Sequence, residues 1–156
     1  MDENLRMGIK KNSEELYRLY QEGKKLRLSN NTLAFLLLSA IEDTSNYFIE
    51  ILSSKCENPT LMKNISARIY NRLKIKYELF LAIYYTMQNH DVETIIEKVK
   101  QLSSKWVNIK RGYIDVSAEE LNEIETYYSN YVEMEKAILK LNKNESCYIL
   151  NTLVQI

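Results

Sequence analysis

A chain of 156 residues with 3 glycines and 1 proline lacks the turn residues that a β-sandwich or barrel needs, and 46% hydrophobic content excludes a disordered polymer. The 21 Lys and Arg are matched by 21 Asp and Glu, so no net charge draws the protein to nucleic acid or to a membrane surface. This is one domain's length, sufficient to bury a core without metal or crosslink.

Taken in chain order, residues 1–11 show no clean period and are expected to form a flexible N-terminal arm, with residues 12–156 as a single helical-bundle domain. Met1-Asp2-Glu3-Asn4 lacks the basic-then-apolar order of a signal peptide. Asn12 with Glu15 reads as a capping box for a first helix whose face is Leu16, Leu19, Tyr20, Gly23 and Leu26, ending near Leu28. Asn30 or Asn31 opens a second helix. Its segment from Leu33 to Leu38 is apolar on every side, which marks a helix enclosed by neighbours. The run Leu33 to Ile41, broken only by Ser39, falls far short of the ~20 residues of a membrane span. A cytoplasmic protein without membrane contact is the expectation.

Asn58-Pro59 is a cap followed by a helix-opening proline. Met62, Ile65, Ile69, Leu73, Tyr77, Phe80, Tyr84 and Met87 then recur at spacings of three and four, predicting one long central helix over about 59–89. Asp91 caps a fourth helix with the face Val92, Ile95, Ile96, Val99, Leu102 and Trp106, which ends around Arg111-Gly112. Ser117 and Glu120 form a capping box for a fifth, with Leu121, Ile124, Tyr128, Tyr131 and Ile138 on one side. The apolar tail from Ser146 reads as a final helical turn or two; a strand would need a partner that the chain does not offer. The fold class is all-α, a bundle of five to six mostly antiparallel helices.

Catalytic chemistry finds little to use. His90, the single histidine, sits in a turn between Asn89 and Asp91, and a solvated or capping role suits it. No phosphate loop, zinc pattern or calcium loop occurs, and neither metal nor cofactor is expected. Glu42 follows the apolar core segment directly. It reads as a surface residue, with burial against Arg68 or Arg72 as the alternative, and an enzyme built on Glu42 and Tyr47 as the competing functional class. Cys56 and Cys147 are expected as free thiols; a bridge closing a long loop would suit a hyperthermophile.

Charge is distributed by segment. Leu61 to Arg111 carries ten basic against four acidic side chains, and Gly112 to Lys136 carries seven acidic against one basic. Arg68, Arg72 and Lys76 share a helix face, and with Lys105, Lys110 and Arg111 they are the candidate nucleic-acid-binding residues, beside Tyr70, Tyr77 or Tyr113 for base stacking. The competing expectation is that the acidic helix packs beside the basic ones and cancels them within the fold. In the tail, Tyr148, Ile149, Leu153 and Ile156 are the candidate interface for a protein partner or for self-association.

The cadence Asn12-Ser13-Glu14-Glu15-Leu16, then Gly23-Lys24-Lys25-Leu26, then Ala34-Phe35-Leu36-Leu37-Leu38-Ser39-Ala40-Ile41-Glu42-Asp43 resembles the prokaryotic HEPN superfamily of abortive-infection type. Nuclease members carry Arg, four to six residues, then His; here the arginine preceding His90 is Arg72, so that motif is absent. The resemblance implies a bundle without ribonuclease activity, a binding or dimerising protein of a prokaryotic or viral defence-related system. By size and helical content the chain also resembles the small helical subunits of CRISPR-type effector complexes, which line a nucleic-acid channel with basic residues. The expected function is a non-catalytic binding or scaffold protein, acting by association with a protein partner and with nucleic acid as a further ligand.

Overall fold

The computed structural model describes residues 3–155, in which eight helices and no strand occur: α1 (Glu3–Lys25), α2 (Asn30–Cys56), α3 (Pro59–Arg68), α4 (Leu73–Met87), α5 (Val92–Lys110), α6 (Ala118–Tyr128), α7 (Tyr131–Lys140) and α8 (Lys143–Gln155). The all-α bundle is as the sequence predicts. The number of helices is larger, and the single long central helix is absent.

The fold is organised around α2. Leu37, Leu38, Ile41, Phe48, Ile49 and Leu52 are fully buried, and burial continues along nearly its whole length. Such a helix must be covered on all sides. Accordingly α1, α4, α5, α6, α7 and α8 all pack on it, while α3 packs on α8 and α5 packs on α4.

Helix ends follow local chemistry. Ser29 caps α2 by accepting from the Thr32 amide, one residue ahead of the expected asparagines. Asn58 caps α3 with Pro59 in its first turn, Asp91 caps α5 through the Thr94 amide at 2.7 Å, and the Ser117–Glu120 capping box opens α6. The α1–α2 turn closes with Arg27 in the left-handed region at φ 57° and the Leu28 amide donating to Gly23 O at 3.0 Å, a Schellman-type end. A Cβ on Gly23 would lie 2.9 Å from Leu33 Cδ2, so a larger residue there requires the Leu33 side chain to shift.

Four expectations are corrected. Residues 3–11, expected as an arm, are the opening turns of α1; Asn12 lies within that helix and donates to the Asp43 carboxylate instead of capping it. The predicted helix over 59–89 breaks at Ile69–Arg72, where Arg72 is extended at φ −120° and its amide donates to Ile69 O. Asn71 in that turn is a residue type that favours turns over helix interiors. The apolar period survives the break because Leu61 and Ile65 of α3 and Ile75, Leu79 and Phe80 of α4 all enter one core. The predicted fifth helix breaks likewise into α6 and α7, where the Ser129 and Asn130 side chains both bond back to Thr126 O.

The fourth correction concerns the cysteines. Cys56 ends α2 and Cys147 lies early in α8, and the two form a disulfide, leaving no free thiol among the described residues. Two cysteines 91 residues apart in sequence are brought together only by α8 folding back on α2, which no local spacing reveals. Beside the bridge, Lys55 Nζ donates to the carbonyls of Ile138, Leu139 and Leu141 at 2.9, 2.6 and 2.7 Å, so a cation closes the end of α7.

Trp106 of α5 is fully buried, edge-on to Tyr77 at 5.6 Å and to Tyr127 at 5.4 Å. In the adjacent pairs Tyr84-Tyr85 and Tyr127-Tyr128 every ring packs on another ring, Tyr128 on Tyr17 at 4.6 Å. Tyr84 packs on Tyr127 at 4.6 Å, and the Tyr85 and Tyr127 hydroxyls bond each other.

Replacing both Cys56 and Cys147 by Ser should lower unfolding stability by roughly 3–5 kcal/mol, because a cross-link over a loop this long restricts the unfolded chain strongly. Denaturant unfolding of the oxidised protein and the double variant measures it, and equal midpoints would show that the bridge contributes nothing.

Candidate binding groove

The six candidate nucleic-acid residues do not form one surface. Lys76 is buried beside Tyr77, whose hydroxyl donates to Leu38 O at 3.1 Å. Its Nζ lies 3.3 Å from Glu42 Oε2, and Lys110 Nζ lies 2.7 Å from Glu42 Oε1. Glu42 thus joins α2 to α4 and α5. It is half-buried and paired with lysines, neither on the surface nor beside Arg68 or Arg72. Burial would raise its carboxyl, but the Lys110 hydrogen bond and the two ammonium charges outweigh this and hold it below the ordinary carboxylate range. A low carboxylate committed to two lysines is a strut between helices.

Lys105 is also neutralised, 2.5 Å from Glu120 of the acidic α6. Arg68 is exposed and donates to Val154 O at 3.4 Å. Arg72 and Arg111 are exposed and carry no ion pair among the described residues. The segmental charge is therefore partly cancelled inside the fold, Lys105 by Glu120 of the acidic α6, and Lys76 and Lys110 by Glu42 of α2 rather than by the acidic helix. What remains is local: Arg72, Lys74 and Arg111 surround a concavity of about 390 Å³ floored by Leu73, Ile75 and Val107.

Glu78 closes one side of that concavity and opens a second of about 360 Å³. Here α4 supplies the floor through Leu79 and Ala82. The α5 wall is Ile95, Ile96 and Val99, and the α8 wall is Tyr148, Ile149 and Leu153. Burial pushes the Glu78 carboxyl up against the lowering pull of Lys74 and Lys100. A third concavity of about 230 Å³ shares Leu79, Ala82 and Ile149 and continues past Met87 to Ala137 and Ile138 of α7 and to Leu141 just beyond it. The three form one groove along α4, with cations at its start and apolar side chains beyond.

Three of the four expected interface residues meet in this groove; Ile156 lies outside the described residues. Ile96 is 48% exposed and Tyr148 73% exposed at the rim. Sequence reasoning missed the α4 and α5 contributions. The available signal was width: Ile95-Ile96 and Tyr148-Ile149-Leu150 put apolar side chains beyond the stripe that one core-facing helix side requires.

His90 is exposed in the α4–α5 turn, with its ring edge-on to Tyr85. No group of three or more His, Cys, Asp or Glu suited to a metal ion occurs among the described residues, and no helix there is long and apolar enough to cross a membrane. Comparison with protein-family models, with curated proteins and with solved structures finds no match.

The Glu42 strut has a pH signature. Its folded pKa lies below the unfolded value near 4.5, so its contribution is fully present above that value and is lost as pH falls through the folded pKa. Glu42→Gln should cost roughly 2–4 kcal/mol at pH 7 by leaving Lys76 buried without its counter-charge. It should also flatten the acid limb of a stability-against-pH profile. An unchanged acid limb would show that Glu42 carries no such linkage.

Proposed function

We propose that the protein is a non-catalytic helical binding module that receives an amphipathic helix of a partner protein in the groove along α4. The observation that carries this reading is the groove itself: an apolar trough between α5 and α8, with Ile96 and Tyr148 open to solvent at its rim and a cationic cluster at one end. Helix-in-groove recognition needs such a floor for anchors spaced three and four residues apart. The charged end favours a partner of opposite charge over a neutral apolar ligand.

Arg72, Lys74 and Arg111, and Arg68 nearby in the chain, support nucleic acid as the second reading. It is the weaker one because Lys76, Lys105 and Lys110 are engaged by Glu42 and Glu120. The HEPN-like cadence in residues 12–43 is part of the proposal as a resemblance of the α1–α2 scaffold; the groove uses none of those residues. The Cys56–Cys147 bridge supports an oxidising compartment, or the interior of a hyperthermophile, over an ordinary reducing cytosol.

The test places a photo-crosslinker at the groove floor, Ala82→p-benzoylphenylalanine, in the native host with and without nuclease. Nuclease-resistant crosslinks to a protein segment with apolar residues at helical spacing, lost when Ile96→Glu and Tyr148→Glu are added, are expected. Crosslinks only to nucleic acid, or crosslinks indifferent to the two rim substitutions, would overturn the reading.

A further inference from the structure

We propose that the groove imposes a direction on its occupant. A partner helix lies antiparallel to α4, with acidic side chains in its last turns placed over Arg72, Lys74 and Arg111. This inference rests on the groove reading above and adds the partner's polarity and orientation.

The groove is electrically unequal at its two ends. At the start of α4, three cations without ion pairs border one concavity. The first turn of α4 begins there with Arg72 in the cap position and no side-chain cap, so its open N–H groups add positive potential. The opposite end, around Met87, Ile138 and Leu141, is lined by apolar side chains, and the Lys55 ammonium there is engaged by the carbonyls of Ile138, Leu139 and Leu141. Between them Glu78 and Lys100 face the same trough with opposite sign.

A helix carries roughly half a negative charge at its C-terminus and half a positive one at its N-terminus. Laid in this groove, its C-terminal carbonyls meet Arg72, Lys74 and Arg111 in one direction only. In the reverse direction its N–H end meets the cations. Carboxylates in the last turns add charge-assisted hydrogen bonds to the two guanidinium groups, which present paired donors to a carboxylate. The trough from Arg72 to Met87 corresponds to about 22 Å of helix, or four turns.

The test uses three synthetic helical peptides of about 18 residues that share one leucine face. One carries three glutamates in its last turn, one carries them in its first turn, and one has lysines in the last turn. Binding is read by fluorescence anisotropy against the full-length protein and against two variants, R72E/K74E/R111E and I96E/Y148E. The first peptide is expected to bind about tenfold tighter than either of the others at low salt. That gap should close near 0.5 M salt, where charges are screened beyond about 4 Å, and should invert in R72E/K74E/R111E.

Equal affinity for all three peptides, with binding still lost in I96E/Y148E, would overturn the orientation and leave the groove reading standing. No binding by any peptide, or binding insensitive to I96E/Y148E, would overturn both. Single-stranded RNA bound by the wild type but not by R72E/K74E/R111E, with the peptides inert, would assign the cations to phosphate and overturn both as well.

Discussion

Everything else in this protein follows from the burial of α2. α2 buries apolar side chains along most of its length, and each methylene left exposed would cost about 0.8 kcal/mol. Six other helices are therefore recruited to cover it. A ring of covering helices cannot also be closely packed neighbour to neighbour at every seam. Here α5 leans on α4 and α2, whereas α8 leans on α2 and α3. The trough over α4 is the seam left between them, so the candidate site is a by-product of how one core helix is wrapped.

Charge follows the same logic. Bringing α4 and α5 onto α2 draws Lys76 and Lys110 out of water, and a lone buried ammonium is costly. Glu42 meets both, and Glu120 meets Lys105 where α6 comes down beside α5. Cations that can reach a carboxylate inside the fold are spent there. The ones beyond reach, at the start of α4 and just past the end of α5, remain exposed beside one concavity.

Much of this was legible in the residues. The caps at Asn58, Asp91 and Ser117 were readable because a cap is a local bond between a side chain and an amide three residues on. The segment Leu33 to Leu38 was read as enclosed on every side, but only Leu33, Ala34, Leu37 and Leu38 are buried and Phe35 faces solvent. The breaks at Ile69–Arg72 and Ser129–Asn130 were not readable, since a short turn that preserves the spacing of the apolar residues leaves the pattern intact. The tail residues Tyr148, Ile149 and Leu153 could be singled out as an unaccounted apolar excess. The surface that they complete could not, because Ala82 and Ile95 acquire meaning only when α8 is set beside α4 and α5. The Cys56–Cys147 pair and the Glu42 strut are long-range in the same sense.

The bridge also changes the topology of the polypeptide. It turns everything between Cys56 and Cys147 into a covalently closed ring, from which α1 and α2 leave on one side and the rest of α8 on the other. Tension applied at the two chain ends passes through sulfur and bypasses α3 to α7. Such a pull can lengthen the molecule only by unwinding its two outer arms, so a translocating protease or unfoldase entering from either terminus meets a doubled strand at the bridge. The groove's floor and one wall lie inside that ring, and its other wall is anchored to it at Cys147.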